Sequence, residues 1–321
     1  MKKLKLFLLF ALLTTKLMAQ QETHIVKHLK ITILSTMLAQ SGRGIGEWGF
    51  SALVEADSIK ILFDTGGRET TVLENCKELN IDLSNVLTLV LSHSHSDHTT
   101  GWLPLRNAMS AINKKALSLT HVAPGFFDTR ISSTGNEDKN RQKDSVLYIQ
   151  TGGKIIQHKN FEEIFPGIFL TGPVPRIYPE KNYSLTAKKK DVSGNIVEDN
   201  IPEDMSLIIR TEKGLVLLSG CGHAGIINTI EHVQNNLQQQ PIFAAIGGFH
   251  LFQNTDEQIK WTADQLKKSG IRYFMGAHCT GIEPVYQIRE WVSLKRGECI
   301  VGSVGATFDL DKGFIAGALT K

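Results

Sequence analysis

The chain has 321 residues, 41% hydrophobic and 21% charged, which is enough apolar content for a sizeable core and excludes a disordered or fibrous protein. Its 35 basic and 32 acidic residues leave a net charge of +3, but Lys2, Lys3, Lys5 and Lys16 account for that excess, and without them 31 basic against 32 acidic residues leave −1. No basic footprint for nucleic acid or an anionic membrane surface remains, so a small-molecule substrate is the expected partner.

In chain order, residues 1–19 read as a secretory signal peptide. A basic head, Met1-Lys2-Lys3-Leu4-Lys5, precedes an apolar run from Leu6 to Leu13 that is too short to span a bilayer. Leu17-Met18-Ala19 then leads into Gln20-Gln21, and cleavage is expected after Ala19. No cysteine follows the run, so no stable membrane anchor is expected after cleavage, and the mature protein is expected to be periplasmic or secreted. Residues 20–28 form a short lead. Residues 29–321 form a single domain, of a size that α/β folds reach without splitting.

Leu29 to Ser35, Ser51 to Glu55 and Ile59 to Phe63 read as strands. The glycine-rich loop Gln40 to Gly46 lacks the spacing and the Lys-Ser/Thr of a phosphate-binding loop. Thr71 to Leu79 has helical spacing, Val86 to Leu91 is an apolar, β-branched strand, Leu103 to Asn113 is a helix, and Ala116 to Thr120 is a strand ending at His121. Lys188 to Glu203 turns polar and reads as a solvated loop or hairpin insertion. Ser206–Thr211 and Leu215–Ser219 form a hairpin, followed by helix Ile226–Leu237, strand Ile242–Ile246, helix Asp256–Ser269, strand Arg272–Met275 and a helix around Val285–Leu294. Cys76, Cys221, Cys279 and Cys299 permit disulfides in an exported chain. Two of them lie in loops that carry histidines, and no particular pairing is expected.

The run Ser92-His93-Ser94-His95-Ser96-Asp97-His98 carries four potential metal ligands just past a buried strand. Residues two apart on an extended segment project the same way, so His93 and His95 can grip one ion, while Asp97 and His98 point toward a second. Imidazole and carboxylate together fit Zn²⁺, Fe²⁺ or Mn²⁺.

His-x-His-x-Asp-His after a strand resembles the metal motif of the metallo-β-lactamase superfamily. Ile61-Leu62-Phe63-Asp64-Thr65-Gly66 resembles the strand and turn whose aspartate supports that loop, and Gly214 to Gly225 resembles the next metal-facing strand end. Gly220-Cys221-Gly222-His223, Gly247-Gly248-Phe249-His250 and His278-Cys279-Thr280-Gly281 are similar to one branch. Its members are metal-dependent hydrolases or 7,8-dihydropterin-6-ylmethyl-4-(β-D-ribofuranosyl)aminobenzene 5′-phosphate synthases. The similarity runs from about Leu29 onward and implies an α/β fold, an αββα sandwich of two mixed sheets flanked by helices.

The resemblance assigns His93 and His95 to one ion, and Asp97, His98 and His278 to the other, with Asp64 supporting the loop. It implies one or two Zn²⁺ ions, with Fe²⁺ or Mn²⁺ as alternatives. The sequence departs from the common pattern at two places: Cys221 stands where a bridging aspartate is usual, and the third histidine of the first ion has no direct counterpart. His223, two residues past Cys221, can fill that vacancy. Cys221 is either a ligand or a small buried neighbour of the site.

His250, behind two glycines, is a candidate general acid or substrate contact, and Asp97 a candidate catalytic carboxylate. Arg176, behind Pro173-Val174-Pro175, presents a planar fork that suits a phosphate or carboxylate. His121 is a candidate rim contact and Trp48 a candidate apolar wall. His24, His28, His158 and His232 lie in polar stretches and read as surface residues.

The expected activity is that of an exported metal-dependent hydrolase, using a metal-activated hydroxide on a small anionic, phosphorylated metabolite. The branch name points instead to a pterin-related synthase or transferase that displaces phosphate or pyrophosphate. A non-catalytic metal-binding or sensing module is the third reading, opposed by the retention of His93, His95, Asp97, His98 and His278. Cys-Gly-His and Gly-Gly-Phe-His are not the signature of β-lactamases proper. Oligomeric state is not encoded in any of these features.

Overall fold

Two sheets pack face to face in the computed structural model, which describes residues 24–321. The expected signal peptide and its expected cleavage point lie outside the described residues. The first sheet has eight strands in the order Gly313–Ile315, Thr307–Asp309, Leu29–Ser35, Ser51–Ala56, Ile59–Phe63, Thr88–Val90, Leu119–Val122 and Lys154–Gln157. The second has seven: Cys299–Val301, Tyr273–Gly276, Ile242–Gly247, Gly214–Ser219, Leu207–Thr211, Ile168–Leu170 and Glu162–Phe165.

Side-chain alternation along the strands builds three apolar layers. Ile61, Phe63 and Val90 face inward onto Val216, Leu218, Ile246 and Met275 of the other sheet. Their neighbours Leu62 and Leu89 point outward onto Val72, Trp102 and Leu105 of the helices Thr71–Glu78 and Trp102–Ile112. Leu215, Leu217 and Phe274 likewise point outward onto the helices Ile226–Asn236, Asp256–Lys268 and Ile282–Val292. This is the αββα sandwich, and it explains why the strands read as continuous apolar runs: both of their faces are covered.

In each sheet four consecutive strands run parallel: Ile59–Phe63 through Lys154–Gln157 in one, and Gly214–Ser219 through Cys299–Val301 in the other. Open α/β sheets bind ligands beyond the carboxyl ends of such strands. Asp64, the 92–98 loop, Cys221, His223, His250 and His278 all follow those ends.

Several boundaries differ from the sequence reading. The strand expected at 86–91 spans Thr88–Val90, because Leu87 turns outward and is half exposed. The strand expected at 116–120 starts later, at Leu119, because Leu117 takes a left-handed φ of 49° that delays the extended run. His121 therefore falls within a strand and not past its end. The polar 188–203 stretch contains the hairpin Lys188–Lys190/Ile196–Glu198, which also pairs with Arg130–Ile131 to make a four-stranded sheet with Glu137–Asp138. The sequence reading contained neither that pairing nor the helix Asn140–Gln150. All four cysteines are buried free thiols.

Candidate metal centre

Asp64 is the pivot of the first half of the site. Fully buried in a left-handed turn with φ 56°, it accepts Ser92 N at 2.7 Å and Ser92 Oγ at 2.7 Å, and pairs with His98 Nδ1 at 2.7 Å. Ser92 Oγ, having donated to Asp64, accepts from His93 Nδ1 at 2.9 Å. On the other sheet His223 Nδ1 donates to the carbonyl of Asn182 at 2.5 Å. The network thus puts the proton of three rings on Nδ1 and leaves their Nε2 lone pairs facing a common interior.

That interior gathers the donors a cation would need. Nε2 of His93 and of His223 are buried without any hydrogen-bond partner. His93 lies 4.7 Å from His223 and 4.6 Å from His95 between ring centroids, and His95 lies 4.9 Å from His223. Beside this trio, His98 Nε2 is 3.3 Å from His278 Nε2 and 3.1 Å from Cys221 Sγ, and His278 Nε2 is 3.1 Å from Asp97 Oδ2. Two imidazoles about 2.0–2.1 Å from one tetrahedral ion are about 3.4 Å apart, so these spacings suit shared coordination. Asp97, His98, Cys221 and His278 form one possible donor set; His93, Cys221 and His223 form another; His93, His95 and Asp97 a third.

The electrostatics agree. Burial, reinforced by the neighbouring imidazoles, drives His93 and His223 well below the ordinary histidine range, and burial lowers His95 to about 4 against the pull of Asp97. A neutral ring is the form that offers a lone pair to an ion. His98 differs from the trio: burial opposes its charge, but Asp64 and Asp97 push it up to about 9, so its ring must give up a proton before Nε2 can bind an ion. Burial disfavours ionised Asp97, yet His98 and His278 hold its carboxyl well below the usual carboxylate range. Divalent cations therefore fit the residues present, and the buried orphaned Nε2 atoms are the observation that carries this.

The two sheets meet tightly here. A Cβ on Gly220 would fall 2.6 Å from Asp64 Oδ2, so only glycine lets the strand before Cys221 approach the aspartate. Cys221 ends up between the two halves, a member of more than one donor set.

The other predicted residues divide. Trp48, 51% exposed, lies 4.7 Å from the His278 ring and 5.8 Å from Phe252, an apolar wall beside the second donor set. His250 lies 4.7 Å from the His223 ring, near the donors. His121 is drawn away from them: its Nδ1 is 2.7 Å from His158 Nε2, with the two rings stacked, and burial lowers it to about 4. His158, expected at the surface, is buried, because the strand Lys154–Gln157 ends beside His121 and Glu162 holds its Nδ1. His232 is partly buried and bonds the Thr171 carbonyl at 3.1 Å, whereas His24 and His28 are exposed as expected.

Arg176 requires correction. Its guanidinium is taken up by backbone: it donates to the carbonyls of His223 (2.5 Å), Asn200 and Ile201 (3.2 Å), clamping the loop that carries His223. Proline-stiffened presentation serves backbone capture instead of anion capture. Arg176→Ala is therefore expected to lower metal affinity by about 10–100-fold, as loss of a ligand's outer support does. Metal retention during dialysis against a chelator measures this, and unchanged retention would return Arg176 to the surface.

The cationic groups that do border the centre were absent from the sequence reading. A cavity of about 250 Å³ is lined by His95, Asp97, Arg130, Arg141 and Gln142, among others. Arg130 is paired with Asp199 at 2.8 Å and Glu203 at 2.5 Å. Arg141 bonds Thr99 Oγ1 and pairs with Asp144 at 3.0 Å. No local motif marks either arginine; pairing between segments some 60 residues apart brings Arg130 there.

Comparison with known proteins agrees with this geometry. Residues 49–156 match the family profile of the metallo-β-lactamase superfamily. The chain is 33% identical over 248 residues to the 7,8-dihydropterin-6-methyl-4-(β-D-ribofuranosyl)-aminobenzene-5′-phosphate synthase of Methanocaldococcus jannaschii, covering 73% of this chain and 81% of that protein. A solved metal-dependent hydrolase of the β-lactamase superfamily superposes with a TM-score of 0.69 at 25% identity, covering 87% of this chain and 98% of the other. Zn²⁺-bound PqqB from Methylobacterium extorquens shares the fold, with a TM-score of 0.52 at 14% identity over 88% of this chain and all of its own (100%). Sequence, sheet topology and the convergence of histidines at the strand ends lead to one conclusion: this chain belongs to the metallo-β-lactamase superfamily.

Proposed function

We propose that this protein is a metal-dependent enzyme that hydrolyses an ester or phosphoester bond of a small anionic metabolite. The observation that carries the reading is the pair of adjoining donor sets opening, through His95 and Asp97, onto the cavity that Arg141 also lines. Divalent ions bound there would supply Lewis acidity, polarising the bond under attack and acidifying water. Asp97 is both a candidate donor and a wall of the cavity, so its firmly ionised carboxylate is placed to orient an attacking water by accepting its hydrogen bond. Arg141 offers its remaining N–H groups to an anionic substituent, the role that Arg176 does not fill. Trp48 gives an apolar part of the substrate a surface beside His278.

A second reading, synthesis with displacement of phosphate or pyrophosphate, is favoured by the 33% identical relative, whose product is a pterin-bearing 5′-phosphate. Turnover in heavy-oxygen water separates the two, because hydrolysis places the label in the product and transfer to another acceptor does not.

The test is a screen of the metal-loaded protein on phosphodiesters, lactones and β-lactams. Phosphoester turnover is expected. Arg141→Ala is expected to raise KM by about ten- to a hundredfold, the worth of a charge-assisted contact, with metal content unchanged. Efficient β-lactam hydrolysis, no phosphoester turnover and indifference to Arg141→Ala would together overturn the proposal.

A further inference from the structure

Behind the histidines lies a second kind of ligand chemistry. Cys221 Sγ is 3.3 Å from Cys279 Sγ, and both side chains are buried. One donor atom from each of Cys221, Cys279 and His250 falls within 4.8 Å of the other two. His250 Nδ1 is a buried atom with no hydrogen-bond partner. The three residues follow three adjacent parallel strands, Gly214–Ser219, Ile242–Gly247 and Tyr273–Gly276. Their meeting is therefore imposed by sheet registry and not by a flexible loop.

The backbone is shaped around the sulfurs. A Cβ on Gly248 would fall 2.0 Å from the Gly220 carbonyl and 3.0 Å from Cys279 Sγ, so a side chain there would both push the strands apart and crowd the thiol. His250 holds a left-handed φ of 49°, an uncommon conformation for a residue with a side chain, and this sets the direction of its ring.

Spacing decides between two uses of the cysteine pair. Two thiolates about 2.3 Å from one tetrahedral ion are about 3.8 Å apart, whereas disulfide sulfurs are about 2.0 Å apart. The observed 3.3 Å, at which the Cys279 thiol donates to Cys221 Sγ, lies nearer the shared ion than the disulfide. We propose that Cys221, Cys279 and His250 form a sulfur-rich metal subsite that adjoins the His/Asp centre through Cys221 and takes one thiophilic ion, such as Zn²⁺, Cd²⁺ or Cu⁺. The thiols give their protons to solvent as the ion binds. This goes beyond the hydrolytic reading and does not depend on it, since Cys279 and His250 complete no donor set of the His/Asp centre.

The test is titration of the metal-free full chain with Cd²⁺, followed by the ultraviolet sulfur-to-cadmium absorption and by cadmium NMR. The wild type is expected to give the absorption of a two-thiolate site. His93→Ala should retain it, while Cys279→Ser should lose about half of it, one of the two sulfurs being gone. His250→Ala should weaken Cd²⁺ binding at the same signal. The His93→Ala arm separates failure of the subsite from failure of the His/Asp centre. If Cys279→Ser does not fold, the wild-type NMR decides: a two-sulfur environment supports the subsite. A cadmium signal with no more than one sulfur, an absorption indifferent to Cys279→Ser, or a Cys221–Cys279 disulfide that blocks Cd²⁺ uptake would overturn it.

Discussion

Replacing His93 with alanine is expected to empty the trio of His93, His95 and His223 of its ion and to abolish turnover. His93 belongs to two donor sets, and its Nε2 is a buried lone pair with no other partner. Its Nδ1 is spent on Ser92 Oγ, so the ring cannot be doing a different task at the same time. The activity loss should exceed the ~10–100-fold that removal of a ligand's supporting partner costs. Elemental analysis of the purified variant should report less metal per chain, while circular dichroism stays native, because Asp64 still anchors the loop through Ser92. Full metal loading with undiminished turnover would refute the assignment of the whole centre.

Asp64→Ala should damage the fold itself. The substitution leaves three buried donors without a partner: Ser92 N, Ser92 Oγ and His98 Nδ1. Removing one member of a buried charged pair costs about 3–5 kcal/mol, which corresponds to a Tm loss on the order of 10 °C in a chain of this size. Alanine also tolerates the left-handed turn poorly, whereas asparagine is at home there. Asp64→Asn therefore isolates the charge: it should keep most of the stability and lose metal affinity at His98. Thermal melts of both variants with and without added Zn²⁺ measure the two effects. Equal melts for wild type and Asp64→Ala would remove Asp64 from its pivotal position.

The sequence carried the parts of the site that depend on local pattern. His93, His95, Asp97 and His98 follow an apolar strand at a fixed spacing, and Asp64 follows another, so periodicity alone places them at sheet edges. Cys221, His223, His250 and His278 also follow strands, but it was the resemblance to the superfamily's motifs that marked them. What stayed hidden depends on register between distant strands. His158 looked like a surface residue because its neighbours are polar, and only the pairing of Leu119–Val122 with Lys154–Gln157 buries it against His121. Arg130 reaches Asp199 and Glu203 through a pairing of two short, polar strands that have no apolar alternation to announce them. The helix Asn140–Gln150 escaped notice because it is weakly amphipathic: Val146, Leu147 and Ile149 are exposed and only Tyr148 is buried. Arg176 was legible as a rigidly held guanidinium but not as a backbone clamp, since its partners are carbonyls, which leave no trace in residue identity.

The donors are split between the sheets: Asp97 and three histidines follow one, while Cys221, His223 and His278 follow the other. An ion gripped by both halves is a cross-link between stretches of polypeptide that leave the ribosome far apart in time. His278 emerges after some 180 residues of chain have followed His98. A chain ending at the first histidine loop offers His93, His95 and Asp97 but lacks the donors that the second sheet brings to the other sets. The sets that include Cys221, His223 or His278 therefore exist only once the sandwich has closed. An ion held across both sheets would act as a latch, because prising the sheets apart would require it to leave, and free ion in solution would shift that equilibrium toward the closed form by mass action.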